Sequence, residues 1–169
     1  MQLIRCTQKL LKELGVAPTT IENPTGVLGA WHANILRIER RKCVLFTNDE
    51  TLYSLFLPGL RKPQFEQLAD IFGQELFRAL RLEGFSQSQI EAVLEEIREL
   101  SFAKTNNRSV LGSMNDLAYQ LEWIISTLGG LTSCSIDTVN YKLNRIPMSA
   151  IKYVYSIDAL KKALSSYAA

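Results

Sequence analysis

Histidine is nearly absent from this chain, since His32 is the one imidazole among 169 residues. A single imidazole builds neither a His-based zinc site nor a pair of histidine acid/base groups, and leaves only acid/base work shared with a carboxylate. Cysteine is almost as scarce. Cys6, Cys43 and Cys134 are odd in number, far apart and without C-x-x-C spacing, which argues against a disulfide framework and a structural zinc site and fits a reducing cytosol. Cys43, inside the apolar run KCVLF, reads as a small buried hydrophobe rather than a reactive thiol. Long apolar runs are missing too: the most apolar stretch, CVLFTNDETLYSLFLPGL, carries Asp49 and Glu50 in its middle, short of the roughly 18 to 20 residues that span a bilayer. The opening MQLIRCTQKLLKELG is broken by charge and followed by no small-residue cleavage site, so neither a signal peptide nor a membrane anchor is expected, and the location expected is cytoplasmic. The spacings G-x-x-x-x-G-K-[ST], G-x-S-x-G and H-E-x-x-H do not occur. With no nucleophile or metal set to build on, the residues weigh against an enzyme, and no metal or cofactor is expected.

What is present suits one globular unit. A chain of this size buries roughly 70% of the surface its unfolded state exposes. At 47% apolar and 21% charged residues, with no Pro/Gly-rich stretch to mark a linker, residues 1–169 read as a single domain. The net charge of +2 is unevenly placed: residues 62–101 hold eight acidic against four basic side chains, leaving fifteen basic against nine acidic elsewhere. An acidic helical section and a mildly basic body follow, and the basic body points toward an anionic partner.

Periodicity places the elements. LIRC reads as a short strand, with Thr7 positioned to cap a helix over TQKLLKELG that Gly15 stops. Residues 16–30 lack any period and read as a loop. WHANILRIE alternates, KCVLFTN is a buried-type run, and TLYSLFL follows the Asn48-Asp49-Glu50 turn, which predicts an antiparallel meander. Pro63 opens one helix running to Gly84, with Phe65, Leu68, Phe72, Leu76 and Leu80 along a stripe, and Ser86 with Gln89 forms a capping box for the next. Residues 107–128 give the longest helix. In the tail SIDTVNYKLNR reads as a short helix, IKYVY as a strand and SIDALKKALSS as a capped helix. The fold expected is α+β, a small antiparallel β meander packed against about five α-helices. Trp31, Ile35, Val44, Phe46, Leu55, Phe72, Leu76, Val93, Ile97, Leu117 and Leu121 are expected to share one core.

Three groups of residues are candidates for function. Alternation puts His32 on the face opposite Trp31 and predicts a surface or half-buried structural role for it. Arg40, Arg41 and Lys42 form the densest basic run, either a solvated turn that blunts strand pairing or a phosphate-contacting ridge. From Asn106 to Asp116 the chain sets a polar turn (Gly112, Ser113, Asn115, Asp116) on an otherwise apolar helix. Asn107 or Asn106 can cap that helix, or its free first-turn N–H groups, aided by Arg108 and Ser109, can hold an anion. The long helix must lay its apolar stripe on the sheet, so its polar first turns are expected beside the meander, lining the principal concave surface with Trp31, Asn34 and Arg108 at the edge. Carboxylate neighbours such as Asp49-Glu50 and Glu95-Glu96 belong to turns and solvated faces.

Taken together, IRCTQKLLKEL, WHANILRIERRKCVLFTNDETLYSLFLPGL, NRSVLGSMNDLAYQLEW and LNRIPMSAIKYVYSIDAL resemble, over nearly the whole chain, an uncharacterised prokaryotic family known as a domain of unknown function. The resemblance implies a coherent fold and a mobile-element or defence setting, with neighbours such as plasmid or transposon passenger proteins; it implies no catalytic residue. The leading expectation is a non-enzymatic binding module for an anionic small molecule or nucleic acid. The alternatives are a protein-interaction or self-associating domain and, last, a small enzyme using Arg108 for phosphate and His32 or Asp116 as acid/base.

Overall fold

QLIRC at the start of the chain forms strand β1 (Gln2–Cys6), all five of whose side chains are buried. The computed structural model describes residues 1–167; Ala168 and Ala169, the end of the expected domain, lie outside the described residues. Thr7 caps helix α1 (Gln8–Leu14) by accepting the Leu10 N–H, and Gly15, at φ 67°, ends it in the left-handed conformation that glycine adopts without Cβ strain.

The meander follows as β2 (Trp31–Ile38), β3 (Arg41–Asn48) and β4 (Ser54–Leu57), with antiparallel pairs such as Ile35 with Val44 and Phe46 with Leu55. Glu39 and Arg40 form a two-residue turn with φ of 50° and 66°, the positive-φ pair a type I′ hairpin requires. The last strand is shorter than the run TLYSLFL predicts, because Leu52 sits at φ 59° and Asn48 gathers the preceding turn: its Oδ1 accepts the Glu50 and Thr51 N–H groups.

One helix predicted between Pro63 and Gly84 is two, α2 (Lys62–Glu66) and α3 (Leu68–Leu82), because Gln67 leaves helical geometry at φ −113°, ψ 24°. The break lets Phe65 and Leu68 both reach the core. Helix α4 (Gln87–Glu96) has the Ser86/Gln89 capping box. The chain then forms β5 (Leu100–Lys104), which has no counterpart in the sequence reading. Helices α5 (Arg108–Thr127) and α6 (Ile136–Leu143) follow, then the short pair β6 (Pro147–Met148) and β7 (Val154–Tyr155), then α7 (Ser156–Ala163). Of the strand expected over IKYVY only β7 exists, since Ser149–Ile151 is a 3-10 turn and Lys152 and Tyr153 both adopt positive φ. The seven α-helices among the described residues exceed the five expected.

The five-stranded sheet has the order β4-β3-β2-β1-β5, and β1 lies parallel to both its neighbours, so the antiparallel meander is part of a mixed sheet. Both faces of its centre are covered. Trp31, Val44, Phe46 and Leu55 pack with Phe72 and Leu76 of α3 on one side, while Cys43, Leu45 and Phe56 pack with Met114, Leu117 and Leu121 of α5 on the other. The single shared core expected is therefore two, with Leu117 and Leu121 across the sheet from Trp31 and Phe72.

Candidate anion-binding cleft

The parallel strands β1 and β5 end side by side, Cys6 beside Lys104, and the chain leaves them toward opposite faces of the sheet. From β1 it enters α1, whose Leu10 belongs to the core that holds Trp31; from β5 it enters α5, whose Val110 belongs to the other. A crevice opens where connections diverge in this way, and open sheets with parallel strands bind ligands at such points. Here a cleft of about 670 Å³ lies there, bordered by Arg5, Thr19, Asn23, Lys104 and Asn106, with the exposed Glu22 as its one carboxylate among the described residues. Loop 16–30 forms its far wall, held to the sheet where the Thr19 N–H donates to the Phe102 carbonyl at 2.8 Å.

Arg5 is the central group. Its residue is only 9% exposed, its guanidinium donates to the main-chain carbonyls of Glu22 and, at 3.5 Å, Lys104, and no carboxylate oxygen of the described residues lies within 4.0 Å of it. An arginine keeps its charge whatever its surroundings, and carbonyl dipoles compensate a buried charge only in part. The adjacent Lys104 is exposed and adds a second cation at the cleft.

The residues singled out from sequence are dispersed. Asn107 caps α5, its Oδ1 accepting the N–H groups of Ser109 at 3.0 Å and Val110 at 3.2 Å, so two first-turn donors are already engaged. Arg108 and Ser109 are exposed beside that cap; Asn106 alone of this segment borders the cleft. Asn115 and Asp116 are exposed further along α5, and Asp116 borders a different groove with Tyr119 and Pro147. Asn34 accepts a hydrogen bond from the Thr7 hydroxyl at 2.8 Å. Trp31 does not edge the cleft: it is 1% exposed and meets Phe72 edge-on at 5.2 Å, on the face away from α5. His32 is fully buried rather than surface-exposed or half-buried, its Nδ1 2.6 Å from Asp49 Oδ1 and its Nε2 without a partner among the described residues. Arg40 and Arg41 are exposed at the β2–β3 hairpin, while Lys42 is paired with Glu13 at 2.6 Å.

Arg5 and Lys104 escaped the sequence reading, although Arg5 carried a signal: it is a charge inside the otherwise apolar run LIRC. Among the described residues no three His, Cys, Asp or Glu side chains gather as metal ligands, and no helix is long and apolar enough to cross a membrane.

Fold and cleft together define an α+β domain with a mixed sheet and a crevice at its diverging parallel strands lined by Arg5, Lys104 and Glu22. The chain belongs to the family described as Domain of unknown function (DUF6933), whose model matches residues 3–159. No curated protein and no solved structure matches it.

Proposed function

We propose that the protein is a binding module for phosphate-bearing anions, held in the cleft between the ends of β1 and β5. The observation that carries this reading is Arg5, a nearly buried guanidinium with no carboxylate partner among the described residues, facing a cleft that also presents Lys104 and Asn106. An incoming phosphate would supply the missing counter-charge to a planar, preset donor, the geometry in which arginine recognises oxyanions best.

Nucleic acid is a specific form of the same reading. Because β2 runs parallel to β1, the tip of the β2–β3 hairpin, with Arg40 and Arg41, stands at the same end of the sheet as the cleft. A phosphodiester strand crossing that end would meet both, whereas a small phosphate would need the cleft alone.

Titration calorimetry with inorganic phosphate, pyrophosphate and short single-stranded DNA and RNA tests both forms. Lys104→Gln and Arg5→Gln are expected to weaken every anion, each by about tenfold, the scale of one charge-assisted contact. Arg40→Ala/Arg41→Ala is expected to weaken the oligonucleotides alone and to flatten their salt dependence. Absence of saturable binding by any of these anions at low salt refutes the proposal.

A further inference from the structure

A second concavity lies on the opposite flank of the molecule, along the seam where α3 and α6 meet beside the edge strand β4. It encloses about 290 Å³, and its lining includes Tyr53, Glu75, Ala79, Leu82, Glu83 and Tyr141. Ala79 and Leu82 bring an apolar surface to it, and Leu82, 62% exposed, gives a reason for an isoleucine-sized side chain in the open: it stands at the border of this cavity.

Two features of the cavity are available to a ligand. The first is Tyr53, a residue only 1% exposed that lines the cavity; its hydroxyl makes no hydrogen bond to the described residues and is not among their buried unpaired polar atoms, so it opens into the cavity, where a ligand can reach it. The second is a charge imbalance. Glu83 is held by a bidentate pair with Arg145 at 2.9 and 2.7 Å, whose guanidinium also stacks 3.4 Å above the Tyr141 ring, and Asp137 by a bidentate pair with Arg78 at 3.0 and 2.6 Å. Glu75 makes no ion pair within 4.0 Å among the described residues; the neighbouring Arg78 feels its charge but is held by Asp137, so three carboxylates share two guanidinia.

We propose that this cavity binds a small organic amine, its apolar body against Ala79 and Leu82, its ammonium group paired with Glu75 and a polar group hydrogen-bonded to the Tyr53 hydroxyl. The site is independent of the anion cleft and takes a ligand of the opposite charge. Burial pushes the Tyr53 phenol well above its ordinary range, with Glu83 adding to the effect, so the group remains a neutral donor and acceptor throughout the useful pH range.

Four probes of similar size separate the contributions: tyramine, phenethylamine without the hydroxyl, neutral 2-phenylethanol and anionic 3-phenylpropionate, each titrated by NMR or calorimetry. Phenethylamine is expected to bind about tenfold more tightly than 2-phenylethanol, the scale of one charge-assisted contact, with tyramine tighter still through its hydroxyl and 3-phenylpropionate weakest. Glu75→Gln, on a partly exposed helix position that leaves the core intact, should abolish the preference for amines over the neutral alcohol. Tyr53→Phe should remove the advantage of tyramine over phenethylamine while leaving phenethylamine unchanged, and Arg5→Gln should alter neither. The proposal is overturned if no amine saturates, if 3-phenylpropionate binds as tightly as tyramine, or if Glu75→Gln leaves the amine preference intact.

Discussion

The imidazole Nδ1 of His32 stands 2.6 Å from the Asp49 carboxylate, joining the start of β2 to the turn that leaves β3. His32 is fully buried and its Nε2 has no partner among the described residues, so Asp49 provides the one hydrogen bond its ring makes to them. Removing the carboxylate by Asp49→Ala strands both ring nitrogens in the interior. We expect a loss of about 1.5–3 kcal/mol in urea unfolding, the range for a buried hydrogen bond to a charged group. In the double variant His32→Leu/Asp49→Ala much of that loss should disappear, because no orphaned polar atom remains. A change within about 0.5 kcal/mol for Asp49→Ala, the usual scatter of surface substitutions, would show that the pair carries no structural load.

Thiol chemistry offers a second check. Burial pushes the Cys6 thiol up to about 12 and also raises that of Cys43, whereas Cys134 is partly exposed. Since the thiolate is the reactive form, native protein should react rapidly with iodoacetamide at Cys134 alone, and at all three positions once unfolded. Peptide mapping after brief labelling at pH 8 reads this directly; early modification of Cys43 would mean that β3 opens locally.

Much of the architecture was legible because it is local. The alternation in WHANILRI specifies β2, Ser86 and Gln89 form the box that starts α4, and Asn107 does cap α5. The two-sided burial of the sheet was also written in KCVLFTN, a run apolar on both faces, as strands covered on two sides are; assigning every apolar residue to one core overlooked it. Strand β5 was hidden because LSFAK is short and its partner β1 lies nearly a hundred residues away in sequence. IKYVY misled through β-propensity alone, which depends on neighbours that the left-handed Lys152 and Tyr153 prevent from pairing. The cleft was visible only as the anomaly of Arg5 in a buried strand, since its walls come from loop 16–30 and β5, brought together by the parallel pairing.

The ion pair across α3 and α6 makes stability depend on pH in a predictable sense. The Arg78 guanidinium beside Asp137 holds its carboxyl below the usual carboxylate range. A group depressed on folding stabilises the protein above its unfolded value, about 3.9 for Asp, and that contribution is lost as pH falls through the lower folded value. Asp137→Asn should therefore be slightly less stable than the parent at pH 7, and the two should converge in acid. Both side chains are more than a third exposed, so the difference is expected to be small and to shrink further in high salt. Thermal melts from pH 7 down to 2.5 at two ionic strengths measure it, and a gap that widens toward low pH would contradict the assignment.

The edge of the sheet gives the last prediction. Among the described residues strand β4 pairs with a strand on one side only, and the other side is covered by Asn140 of α6 and Asn144, the residue that caps its C-terminus. Asn144 Oδ1 accepts the Ser54 N–H at 2.7 Å while its Nδ2 donates to the Ser54 carbonyl at 2.8 Å, and Asn140 Oδ1 accepts the Phe56 N–H at 2.8 Å. The amides thus stand in for a sixth strand, and Ser156 Oγ, donating to Asn144 Oδ1 at 2.9 Å, keeps the carboxamide oriented. Asn144→Ala leaves a buried donor and a buried acceptor unpaired, each worth about 1–3 kcal/mol. We expect a loss of about 2–5 kcal/mol, as well as faster hydrogen exchange at Ser54 than at Val44 in the middle of the sheet. Because unpaired strand edges associate, the variant should also self-associate at concentrations where the parent does not change, visible by light scattering. Equal protection of Ser54 in parent and variant would mean that something other than Asn144 closes this edge.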